Sequence, residues 1–180
     1  NIPFGLLSLD GKKLSTRKGK IALLEEVLKE AIELALEQIK QKNPDLENKE
    51  EVARQVGVGA VIFHDLKSDR LNSFDFKLDE IVQFEGETGP YIQYACARAN
   101  TILEKYSKEV NSDHVWELTD AYSWEIIKKL SQYQATVIQA AERYEPSVIA
   151  KYAIQLAQLF NRYYGNTRIL SEDDQLEARI

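Results

Sequence analysis

Chemistry is concentrated first in Gly11-Lys12-Lys13-Leu14-Ser15-Thr16-Arg17-Lys18-Gly19-Lys20, where five of ten residues are basic and two glycines bracket a hydroxyl pair. An apolar helical pattern opens directly afterwards at Ile21. Lysine and arginine supply positive charge, serine and threonine supply donors, and a following helix N-terminus adds its partial positive charge. A segment of this kind is suited to holding phosphates. Lys13, Ser15, Thr16, Arg17 and Lys18 are the candidate phosphate-binding residues. A solvated basic linker has the same composition, so the segment does not decide function by itself.

A second constellation follows about seventy residues later, in Thr88-Gly89-Pro90-Tyr91-Ile92-Gln93-Tyr94-Ala95-Cys96-Ala97-Arg98. Thr88 or Gly89 is placed to cap a helix, and Pro90 fits its first turn, where a missing N–H costs nothing. At about 100° per residue, Tyr91, Tyr94 and Arg98 fall within roughly 60° of one another. The apolar stripe of Ile92, Ala95, Cys96, Ala99, Ile102 and Leu103 runs beside them. Two rings and a guanidinium on one flank form a stacking surface for unpaired bases. The bland alternative is a pair of tyrosines whose hydroxyls bond to a neighbouring helix.

Composition narrows the classes. The chain has 180 residues, 44% hydrophobic and 29% charged, an ordinary globular balance. One cysteine excludes a disulfide framework and a cysteine-based zinc site and suits a reducing cytoplasm. His64 and His114 lack metal-ligand spacing, so no metal site is expected, and His64 reads as a packing residue. No apolar run is long enough to span a membrane. Residues 12–20 hold five basic residues and no acidic one, so the remainder carries −11 against an overall −6. A broad electrostatic grip on nucleic acid is thereby excluded. RNA contact outside the first segment must rest on shape, stacking and a few placed donors. The absence of methionine and the opening at Asn1-Ile2-Pro3 suggest a piece excised from a longer protein.

The elements that must position these residues read as helices. Ile21 to Lys42 is amphipathic and stops at Asn43-Pro44. Asn48 is placed to cap a helix from Lys49 to about Val56, with Gly57-Val58-Gly59 as a break or kink before an apolar run, Ala60–Leu66. Residues 70–76 alternate apolar with polar, the signature of one short strand or half of a hairpin. Helical periodicity returns over Asp120–Tyr133, with Trp124, Ile127 and Leu130 spaced three apart, and over Gln134–Arg143. It resumes after Pro146 and ends at Tyr164-Gly165-Asn166, where Gly165 suits a left-handed terminator. Ser171-Glu172-Asp173-Asp174 is a capping box for a last helix. The expected fold is mainly α, a helical bundle with one short β element near residues 70–76.

Three segments, in order, resemble arginyl-tRNA synthetases of class I. Lys13-Leu14-Ser15-Thr16-Arg17-Lys18-Gly19 resembles the class signature loop. Phe84-Glu85-Gly86-Glu87-Thr88-Gly89-Pro90-Tyr91-Ile92-Gln93-Tyr94-Ala95 with Arg98 is similar to a segment characteristic of the arginyl type. Pro146–Tyr152, with Leu156-Ala157, Phe160-Asn161 and Tyr164, resembles the family's helical anticodon-binding domain. The resemblance implies a parent enzyme that joins arginine to its tRNA through an arginyl-adenylate, using ATP and magnesium. It divides the chain into a signature loop with helical connecting region (1–85) and a truncated anticodon-binding domain (86–180). It gives Lys13, Ser15, Arg17 and Lys18 catalytic roles, with Lys13, Ser15, Thr16 and Lys18 on ATP. Tyr91, Tyr94, Arg98, Asn161 and Tyr164 become candidate tRNA contacts. Thr16 departs from the wider class, which commonly has lysine there, and shifts that charge to Arg17 or Lys18. The fragment alone is expected to be inactive and to hold no cofactor. The alternatives are another class I synthetase of cysteinyl or methionyl type, or a helical interaction module that has lost RNA function.

Overall fold

The computed structural model describes residues 2–9, 12–13, 23–106, 118 and 120–171, with backbone alone at Leu7, Leu9, Lys12 and Lys13. The signature segment from Leu14 to Lys20 and the capping box beyond Ser171 lie outside the described residues.

Helices dominate, as expected. α1 (Leu24–Lys42) and α2 (Lys49–Lys67) pack as an antiparallel pair. Ala31, Ala35 and Ile39 of α1 face Ala53, Val56, Ala60 and Val61 of α2 in a core of small and branched residues. The expected break at Gly57–Gly59 is absent and α2 runs straight through. The two glycines serve packing instead. A Cβ on Gly57 would lie 2.7 Å from the Ile32 backbone of α1. A Cβ on Gly59 would meet the Gln93 side chain at 2.8 Å. Glycine lowers helix propensity by about 1 kcal/mol; at Gly57 the close backbone approach of α1 outweighs that cost, whereas at Gly59 only the end of the flexible Gln93 side chain would be met. Asn48 stands at the head of α2 in a left-handed conformation (φ 54°) but makes no side-chain cap; its carbonyl accepts from Glu51 and Val52.

The β element is larger than expected. Strand β1 (Leu7–Leu9) is central, antiparallel to β2 (Lys12–Lys13) and parallel to β3 (Phe74–Phe76). β1 and β2 flank Asp10-Gly11, a two-residue hairpin sequence signal that the basic charge of the segment obscured. The strand read at 70–76 therefore pairs with a segment more than sixty residues earlier. Phe74 and Phe76 project from one face of β3 onto His64 of α2, with ring centroids 5.7 and 5.1 Å away. His64 Nε2 lies 3.2 Å from the Asp75 carbonyl. Burial, aided by Lys67, pushes the His64 pKa down, which is the behaviour of a packed imidazole and agrees with its sequence reading.

Arg70 ties this sheet to the far end of the bundle. Its Nη1 donates to the Pro3 carbonyl (2.8 Å) and its Nε to the Tyr144 carbonyl (3.1 Å), beside Glu145. Tyr144 takes the left-handed position (φ 51°) that ends α6 (Tyr133–Arg143).

After the short α3 (Leu78–Ile81), α4 (Gly89–Tyr106) crosses α2. α5 (Ala121–Ser131) and α6 pack against α7 (Ser147–Asn166), which also contacts α2 and α4. Asp120 caps α5, accepting from the Ser123 N–H at 2.8 Å. Trp124, Ile127 and Leu130 lie on the exposed side of α5; Tyr122, Ser123 and Ile126 form the packed side. Gly165 is helical rather than left-handed, and α7 ends at Thr167 in extended conformation. No helix among the described residues is long and apolar enough to cross a membrane.

Gly57 and Gly165 should therefore respond to alanine with opposite signs. Gly57→Ala forces two helix backbones apart and is expected to destabilise by about 1–3 kcal/mol. A Cβ on Gly165 meets nothing within 4 Å, so Gly165→Ala should stabilise by about 0.5–1 kcal/mol. Denaturant unfolding of the two variants measures both.

Candidate nucleic-acid interface

The α4 segment begins as its sequence suggests. Thr88 is the cap: its Oγ1 accepts the Tyr91 N–H at 3.2 Å while its hydroxyl donates to the Gln83 carbonyl at 2.6 Å. A Cβ on Gly89 would lie 2.9 Å from the Gly59 carbonyl oxygen. The start of α4 is thus pressed against α2, which fixes where the following turns point. The packed seam is rotated from the expected stripe. Ala95, Ile102 and Tyr106 are buried, with Tyr91 and Arg98 half-buried on the same line, whereas Cys96 and Leu103 are exposed.

Arg98 consequently faces α7. Its guanidinium lies over the Tyr94 ring at 4.7 Å and over the Tyr164 ring at 4.5 Å, and its Nη1 donates to Asn161 Oδ1. Tyr94 sits one turn before Arg98, and Asn161 and Tyr164 sit one turn apart on α7. Four of the five candidate contacts thereby converge on one cation. The stack continues outward: Tyr94 meets Phe84 edge-on (6.4 Å), and the Lys42 ammonium at the end of α1 lies 5.2 Å over the Phe84 ring. Tyr164 in turn lies 6.4 Å from Phe160. A continuous run of rings and two cations thus extends from α1 through α4 to α7.

The Lys42–Phe84–Tyr94–Arg98 part of this array lines an open cleft of about 860 Å³ between α1, α2 and α4, bordered also by Tyr91 and Asn161. Tyr91, the fifth candidate, lines the wall without joining the stack. Tyr94 and Tyr164 are 51% and 44% exposed, which leaves ring surface available to a planar guest. Charge is segregated as well. α7 carries no acidic residue and α4 only Glu104, whereas α1 carries five glutamates. The described lining of the cleft holds two cations, Lys42 and Arg98, and one carboxylate, Glu85. Lys42 and Phe84 were not singled out by sequence; Lys42 reads as an ordinary basic helix end, and only the tertiary fold brings it to the cleft. Lys13 lies in β2 at the edge of the small sheet, opposite Ser8. Ser15, Thr16, Arg17 and Lys18 lie outside the described residues.

Residues 92–180 match the family described as the DALR anticodon binding domain, and residues 1–78 match that described as tRNA synthetases class I (R), catalytic domain. Arginine–tRNA ligases of Enterococcus faecalis and Latilactobacillus sakei are 64% and 57% identical over the whole chain. The solved structure of Thermus thermophilus arginyl-tRNA synthetase superposes with a TM-score of 0.83 at 33% identity, covering 96% of this chain and 30% of that one. The chain belongs to the arginyl-tRNA synthetase family. It spans about a third of the length of the curated relatives it matches, 32% in each of the two named. In this family setting the α4 part of the cleft from Gln93 onward and Asn161 of α7 lie within the anticodon-domain match, whereas its α1 and α2 wall, Phe84 and Tyr91 lie before it. β2 and Lys13 fall within the catalytic-domain match.

Arg98→Lys keeps the charge but loses the planar guanidinium and its hydrogen bond to Asn161. Two exposed cation–π contacts at about 0.5–1 kcal/mol each and a charged hydrogen bond at about 1.5 kcal/mol come to about 2.5–3.5 kcal/mol; the lysine ammonium keeps part of the ring attraction, so the expected destabilisation is about 2 kcal/mol. A lowered denaturant midpoint at unchanged m-value is the predicted reading; a wild-type midpoint would mean the rings are held by the core alone.

Proposed function

We propose that the chain is part of an arginine–tRNA ligase that attaches arginine to its tRNA through an arginyl-adenylate made from ATP. The observation that supports this most is the Arg98 stack with Tyr94, Asn161 and Tyr164, all four inside the anticodon-domain match and with Arg98 and Tyr94 on the wall of a ring-lined cleft. Unpaired tRNA bases gain from surfaces and placed hydrogen bonds more than from bulk charge, so an acidic domain can bind them. Tyr91, Tyr94, Arg98, Asn161 and Tyr164 are the tRNA contacts in this reading, each base stack contributing about 1–3 kcal/mol. Because Arg98 occupies the inner ring faces, bases stack on the outer ones.

The segment from Lys13 to Lys18 serves the other substrate. The arginine carboxylate attacks the α-phosphorus of ATP, the bond to the bridging oxygen breaks, and pyrophosphate leaves with growing negative charge. Lys13, Arg17 and Lys18 stabilise that charge, and Ser15 and Thr16 donate to phosphate oxygens. ATP with magnesium, a cytoplasmic setting and the division at residues 85/86 belong to the same reading. The basic segment and the family match favour it over a helical interaction module, which has no use for a phosphate-binding loop.

In the full-length protein, Lys13→Ala should lower ATP–pyrophosphate exchange, assayed with tRNA present, by one to two orders of magnitude. A near-normal rate would remove the loop from the mechanism. Tyr94→Ala should weaken tRNA binding per folded molecule while costing only about 0.5–1 kcal/mol of stability, its share of the stack on Arg98. A larger loss of stability with unchanged affinity per folded molecule would assign Tyr94 to the core.

A further inference from the structure

Arg98 also borders a second, separate hollow. A groove of about 440 Å³ runs between the second half of α4 and the chain leaving α7. Arg98, Lys105 and Arg168 line it, Thr167 and Tyr164 add hydroxyls, and no carboxylate among the described residues does. Lys105 and Arg168 pair with no carboxylate among the described residues. Three cations around one groove without an acid are conspicuous in a chain of net charge −6.

The geometry suits an extended anionic strand. Arg98, Thr101 and Lys105 stand at i, i+3 and i+7, on one face of α4 over about 10 Å. Arg168 approaches from the opposite wall. The Arg98 guanidinium lies over both tyrosine rings, and its five N–H groups point outward in its own plane. One of these goes to Asn161. The remaining edge is the part that bonds a phosphate. Arg98 lines the base-sized cleft and the cationic groove together, so the two hollows meet at one residue.

We propose that this groove holds the phosphodiester backbone of single-stranded RNA whose neighbouring base occupies the cleft on the other side of Arg98. This rests on the reading of the cleft as a tRNA surface. It adds a backbone track, with Lys105 and Arg168 as new contacts, and explains how an acidic domain retains a polyanion without a broad basic face. Lys105 also sits in the last turn of α4 and Arg168 two residues past the end of α7, and a cation in such a place offsets the helix dipole. The test therefore needs a readout that stability does not move.

That readout is the salt dependence of tRNA binding. Filter binding of the full-length protein is measured from about 50 to 200 mM salt, for the unmodified protein and for Lys105→Gln/Arg168→Gln. Each lost single-strand phosphate contact lowers the slope of log K against log salt by about 0.7, so the double variant should lose about 1.4. Its affinity should fall by the same factor for arginine tRNA and for a tRNA with a changed anticodon, because phosphate contacts carry no sequence information. Should the double variant not fold, each single substitution is expected to show half the slope change. An unchanged slope overturns the groove. In that case Tyr94→Ala separates the two readings: weakened binding leaves the cleft standing, while unchanged binding overturns cleft and groove together.

Discussion

The guanidinium of Arg98, stacked between Tyr94 and Tyr164 and tied to Asn161, is the interaction on which the rest of the interface depends. It joins α4 to α7 through polar and aromatic groups rather than aliphatic ones. A Leu–Leu contact at the same place would close the seam. A stacked cation holds the helices together and leaves rings and N–H edges at the surface. One residue thereby serves cohesion and recognition, and it can do so because stacking uses the faces of the guanidinium while hydrogen bonding uses its rim.

The rest of the fold sets the position of that residue. Gly57 lets α1 lie close on α2, and Gly59 with Gly89 lets the start of α4 lie close on α2 from another side. Thr88 then fixes the first turn of α4, and Arg98 follows less than three turns later. The Arg70 tie links the Pro3 segment ahead of the small sheet to the corner where α7 begins. The sheet edge bearing Lys13 and the helix bearing Asn161 and Tyr164 therefore belong to one connected framework.

Much of this was legible in the sequence, for identifiable reasons. Helices α1 and α4 to α7 follow from apolar periodicity and capping residues, which are local. The convergence of Tyr94 and Arg98 follows from helical spacing alone. What escaped was tertiary. Glycines in α2 look like breakers because local propensity counts their cost, whereas the gain lies in a neighbour's backbone. The stripe at Trp124, Ile127 and Leu130 has the period of a core face yet lies exposed, since periodicity says that a face is apolar but not what covers it. The seam of α4 passes through Tyr91 and Arg98 rather than Cys96 and Leu103, because a half-polar seam carries no hydrophobic signature. Lys42, Lys105 and Arg168 look like routine charges at or just past helix ends, and only the packing of the helices brings Lys42 to the cleft and Lys105 and Arg168 to the groove.

The central claim is that the ring-and-cation ladder across α4 and α7 is where RNA is held. Photo-cross-linking tests it most directly: arginine tRNA carrying a photoreactive base in its anticodon loop is irradiated with the full-length protein, and the linked peptides are sequenced. Cross-links within 84–98 and 161–168 are the predicted result. Cross-links confined to the glutamate-rich outer side of α1, with none in those two segments, would contradict it.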